Sequence, residues 1–84
     1  MLDRDTKRRI KQKASELADL NLKDTKEYSS EYERIYDSGE FTCGECFVMV
    51  RLVDLYIAIK QGLVDKDDGK ARQKQIFDVI ELED

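Results

Sequence analysis

Two cysteines three residues apart, in Cys43-Gly44-Glu45-Cys46, are the residues of this chain whose types and spacing most suggest chemistry. A helix N-terminus favours the thiolate of a cysteine, so a redox role for Cys43 and Cys46 is physically reasonable. The thioredoxin-type setting, however, needs a βαβ context, and the apolar residues around the pair are not spaced for strands. The pair also supplies only two of the four ligands of a structural zinc, so a zinc site requires two subunits meeting at this turn. The thiol or metal-bridged homodimer therefore stands as an alternative to a plainer reading. In that reading Cys46 is a small buried residue and Cys43 opens a helix.

Other sources of catalytic chemistry are missing. The chain has no histidine, the side chain most used for proton transfer near neutral pH. Its serines have only carboxylates and lysines to activate them, and no glycine-rich phosphate loop is present. Asp65, Asp67, Asp68 and Gly69 resemble a calcium loop in composition, but the register fails. An EF-hand has glycine at its sixth position and glutamate at its twelfth, whereas counting from Asp65 places Gly69 fifth and Ile76 twelfth. These aspartates are better explained as favourable charge at a helix N-terminus. The expectation is a protein that is not an enzyme and carries no cofactor.

Charge and aromatic residues point instead to a partner. The net charge is −4, unevenly spread: residues Met1 to Lys13 hold six basic and two acidic residues, and Ala14 to Glu45 hold three basic and nine acidic ones. Tyr28, Tyr32 and Tyr36 form a ladder at four-residue steps beside Glu27, Glu31, Glu33, Asp37 and Glu40. Such a ladder commonly packs a core with its hydroxyls at the rim. Tyrosine is also enriched at binding hot spots, and an acidic surround suits a basic partner such as a nucleic-acid-handling protein. The preferred expectation is an adaptor or inhibitor docking this acidic face on another protein. Small acidic helical proteins from phages and mobile elements, among them anti-CRISPR and other anti-defence inhibitors, offer an analogy. The alternative is a small DNA-binding regulator in which Arg4, Lys7, Arg8, Arg9, Lys11 and Lys13 contact phosphates. No aromatic residue interleaves with that basic run, which weakens the alternative.

These residues must be held by helices. The chain has no proline and four glycines, and its apolar residues recur at helical spacing. A first helix is predicted from Asp5 or Thr6 to about Leu20, buried through Ile10, Ala14, Leu17 and Ala18, with a turn at Asn21 to Lys23. Asp24, three residues before Glu27, opens a second helix that stops before Ser38 and Gly39. Thr42 and Glu45 form a capping box for a third helix running from Cys43 to about Gln61. From Phe47 to Ile59 only Arg51 and Asp54 are charged, so this helix is expected at the centre, with Val50, Val53 and Ile57 in the core. Gly62 should end it in the left-handed conformation, with Leu63 making the accompanying apolar contact. A last helix follows Asp65, its apolar face drawn from Ala71, Ile76, Phe77, Val79 and Ile80. The stretch from Leu55 to Ile76, with Gly62-Leu63-Val64-Asp65 between a helix and a second, basic helix, resembles the helical hairpin of the short C-terminal (SHOCT) domain family. The likeness covers about a quarter of the chain, departs from the pattern at Gly69, and implies the hairpin alone.

The 84 residues leave room for one domain, residues 1–84, which buries only about 60–65% of the surface of its unfolded chain. The expectation is an all-α bundle of about four helices around a buried third helix. No stretch approaches the roughly 18–20 apolar residues of a membrane span, and a charged start is unlike a signal peptide. A cytoplasmic protein with no membrane partner is therefore expected.

Overall fold

The computed structural model describes residues 3–82, with side chains up to Val79. Four helices follow in order, α1 (Arg4–Lys23), α2 (Thr25–Ser38), α3 (Cys43–Lys60) and α4 (Lys66–Leu82), and no strand occurs among the described residues. The fold is all-α, as expected. No helix among the described residues is long and apolar enough to cross a membrane.

Local caps, side-chain or backbone, set the boundaries from the start of α1 to the start of α4. Asp3, not Asp5 or Thr6, caps α1, its carboxylate accepting from the Thr6 amide at 2.7 Å. Helix α1 then runs through the expected turn at Asn21 to Lys23, because no glycine or proline interrupts it there. The break is the single residue Asp24, extended at φ −157° and ψ 105°. Its amide donates to the Leu20 carbonyl at 2.7 Å, and its carboxylate accepts from the Lys26 and Glu27 amides. One aspartate thus ends α1 and starts α2. Gly39, at φ 77°, ends α2, and Phe41 turns inward beneath the loop. The capping box of α3 is complete: Glu45 N–H donates to Thr42 Oγ1 at 3.1 Å and Thr42 N–H to Glu45 Oε1 at 2.8 Å.

The end of α3 is a full Schellman motif, with Leu63 N–H donating to Ala58 O at 2.9 Å and Gly62 N–H to Ile59 O at 3.0 Å. The apolar contact expected of Leu63 is not made. Leu63 is 76% exposed, and the neighbouring Val64 packs on the core in its place. Asp65 then caps α4, accepting from the Asp68 amide at 2.8 Å.

Helix α3 packs on α1 and on α4, and α1 packs on α2. The core joins Ile10, Ala14, Leu17 and Ala18 of α1 to Met49, Leu52 and Val53 of α3, closed by Ile35 and Phe77. Of the α3 residues expected in the core, Val53 is fully buried, whereas Val50 and Ile57 are half-buried. Helix α4 is rotated from the expected face. Ala71 and Val79 are exposed, and Gly69, Gln73, Ile76 and Phe77 face inward; the side chain of Ile80 lies outside the described residues. The rotation follows from Gly69, where a Cβ would sit 2.6 Å from Ile59 Cδ1, so the two helices meet where one residue lacks a side chain. The molecule measures 35 × 33 × 18 Å. Its thin dimension corresponds to two layers of helices packed about 8–10 Å apart.

Candidate protein-binding surface

The tyrosine ladder of α2 turns toward α3. Tyr28 and Tyr32 are half-buried against the core, their rings tilted with centroids 6.3 Å apart. The Tyr32 hydroxyl donates to the Cys46 backbone carbonyl at 3.1 Å. Burial raises both phenols above their ordinary pKa, and for Tyr28 the charge of Asp54 adds to the effect. Only Tyr36 is left largely in water, 50% exposed, with its hydroxyl 3.5 Å from Cys43 Sγ. The Cys43 thiol raises the Tyr36 phenol, first through that hydrogen bond and then through its charge.

The carboxylates do not gather on the tyrosine face. At about 100° per residue around a helix, Glu27 and Glu31 fall on the flank of α2 next to α1, and Glu33 and Asp37 fall on the outer side beside Tyr36. Glu31 binds Arg34, whose hydrogen bond holds the Glu31 carboxyl below its usual range. Glu40 lies 3.6 Å from Arg9. Glu33 and Asp37 are exposed and have no ion-pair partner among the described residues. The eight residues expected to form one face therefore separate into a packing set (Tyr28, Tyr32), an inner acidic flank (Glu27, Glu31, with Glu40 beyond the helix) and an outer edge (Glu33, Tyr36, Asp37).

The basic residues of α1 are also divided. Lys7, Arg4, Lys11 and Arg8 lie on one side of the buried Ile10–Ala14–Leu17 stripe, and Arg9 and Lys13 on the other. Several meet partners within the fold: Arg8 pairs with Asp5 at 2.7 Å, Lys13 with Glu16 at 3.3 Å, and the Lys7 ammonium lies 5.8 Å from the centre of the Phe77 ring. The Arg9 guanidinium lies 5.1 Å over Phe41. Four of the six basic residues, Arg4, Lys7, Arg8 and Lys11, thus share one flank of α1, and Arg9 and Lys13 are turned away from it.

Cys43 is exposed and Cys46 buried. Burial raises the Cys46 thiol, with the charges of Cys43 and Glu45 adding to it. No group of three or more cysteine, aspartate or glutamate residues placed to hold a metal occurs among the described residues.

One exposed surface was not anticipated from the sequence. Phe47 is 53% exposed on the outer side of α3, in line with Arg51, Asp54 and Ala58. The signal lay in the two charges: Arg51 and Asp54 mark the side of α3 that meets water, and Phe47 and Ala58 stand four residues to either side of them. Helix α4 runs beside this stripe, and a groove of about 520 Å³ separates them, lined by Leu55, Ala58, Val64, Ile76 and Val79 with Arg51, Asp54 and Arg72 at its edges. Comparison with known proteins returns no matching family model, no matching characterised relative and no matching solved structure, so the hairpin likeness carries no family assignment.

Proposed function

We propose that this protein is a non-enzymatic adaptor or inhibitor that docks the outer edge of α2 on a basic surface of another protein. One observation carries the reading: half-exposed Tyr36 stands beside Glu33 and Asp37, two exposed carboxylates without an ion-pair partner among the described residues. An amphipathic aromatic anchor next to unneutralised charge is the composition of a hot spot with electrostatic steering. The rigid backing supports it, since Tyr32 and Ile35 fix the adjoining inward side of the same helix against the core. The test compares proteins captured by the wild-type chain with those captured by a folded Glu33→Lys, Asp37→Lys, Tyr36→Ala variant. A partner held by the first and lost by the second supports the reading. Partners held equally by both overturn it.

A further inference from the structure

The outer face of α3 is the least polar exposed helix surface described above, and its pattern is self-complementary. Along it run Phe47, Arg51, Asp54 and Ala58, a large apolar residue and a small one bracketing one positive and one negative charge. Phe47 is 53% exposed and Arg51 and Asp54 are both exposed. Among the described residues Arg51 reaches no carboxylate, its guanidinium lying 5.8 Å over the Phe47 ring, and Asp54 reaches no cation.

We infer that a second copy of this chain covers this face, with α3 packed antiparallel on its counterpart about a two-fold axis passing between Leu52 and Val53. In that arrangement each residue faces the one equally far on the other side of the axis. Phe47 meets the partner's Ala58, a large side chain against a small one, and Arg51 meets the partner's Asp54. Two-fold symmetry repeats both contacts, so the interface pairs two ions of each sign and seats two phenylalanines. A purely basic or purely acidic partner would neutralise one charge and repel the other, whereas a second copy satisfies both. Ile76 and half-exposed Val79 extend the apolar surface along the groove beside α3. Phe47, Arg51 and Asp54 already face solvent in the fold as it stands. The inference does not depend on the function proposed for the outer edge of α2.

Sedimentation velocity of the full chain from micromolar to submillimolar concentration tests the inference. The wild-type chain is expected to reach twice its 9.8 kDa mass. R51E and D54R each place like charges together twice and should weaken association about tenfold or more. The combined R51E/D54R chain restores opposite pairs and should recover dimerisation, while circular dichroism confirms that all three variants stay folded. A wild-type chain that remains monomeric throughout overturns the inference. So does a dimer indifferent to the single reversals, or one that the double variant fails to restore.

Discussion

The Tyr32 hydroxyl donates a hydrogen bond to the backbone carbonyl of Cys46 at 3.1 Å, tying the middle of α2 to the first turns of α3. This contact assigns the tyrosine ladder chiefly to packing and leaves Tyr36 as its outward member. Tyr32→Phe should cost about 0.5–1.5 kcal/mol. Tyr36→Phe should be neutral, since the hydroxyl it removes is exposed. Urea denaturation of the two variants checks the pair; the opposite ranking would mean that the ladder is not organised in this way.

Stability should fall at alkaline pH through Tyr56. Burial pushes its phenol up to about 12 from the usual 10.0, and its hydroxyl donates to Gln73 Oε1 at 2.6 Å. A phenol whose pKa is higher in the folded state holds its proton more tightly there. The stabilisation is therefore complete below the unfolded value of 10.0 and is lost as the pH rises toward about 12. Melting temperatures across this window should drop less steeply for Tyr56→Phe than for the parent, although the variant starts lower for want of the Gln73 bond. Parallel curves would contradict the assignment.

Gly69 stands inside α4, where alanine would ordinarily gain about 1 kcal/mol of helix propensity. Here the added Cβ meets Ile59 Cδ1 at 2.6 Å. Gly69→Ala should therefore gain less than that amount, because the end of the half-buried Ile59 side chain has to swing aside to admit the new methyl. In an Ile59→Val background, which removes that atom, the full gain should return. A double-mutant cycle from thermal melts measures the coupling, expected to be about 0.5 kcal/mol or more; strict additivity would show that the close approach is not what places α4.

The division of the cysteines sets their reactivity. Cys43 is exposed and Cys46 buried, so Ellman's reagent should label one thiol promptly in the native protein and the second only as the fold opens. Cys43→Ser should abolish the fast phase and keep the slow one. Simultaneous reaction of both thiols would contradict this placement of the pair.

These contrasts mark what the residues alone reveal. Asp24, the Thr42–Glu45 box, Gly62 and Asp65 were all readable, because a cap acts over three or four residues and needs nothing from elsewhere in the chain. The rotation of α4 was not readable, since it depends on Ile59 of another helix meeting the bare Cα of Gly69. Ala71 and Val79 looked equally eligible for the core until that contact was known. The α2 surface failed in a similar way. Four-residue steps put three tyrosines on one stripe but do not say what the stripe faces, and once Tyr28 and Tyr32 turn to α3, the carboxylates separate around them. Phe47 was hidden by its apolar neighbours, although Arg51 and Asp54 already marked its side of α3 as wet.

The central claim is that the outer edge of α2 recognises a basic partner, and the dependence of association rate on ionic strength tests it most directly. With a partner recovered by the wild-type chain, Glu33→Lys, Asp37→Lys should slow association and flatten its salt dependence, because complementary charges chiefly steer encounter. Tyr36→Ala should instead speed dissociation, as loss of an anchor does. The control reverses Lys7, Arg8 and Lys11 to glutamate and should leave binding to a basic partner intact or strengthened. If that control abolishes binding while reversal of Glu33 and Asp37 changes nothing, the working surface is the basic α1, and the account given for α2 is contradicted.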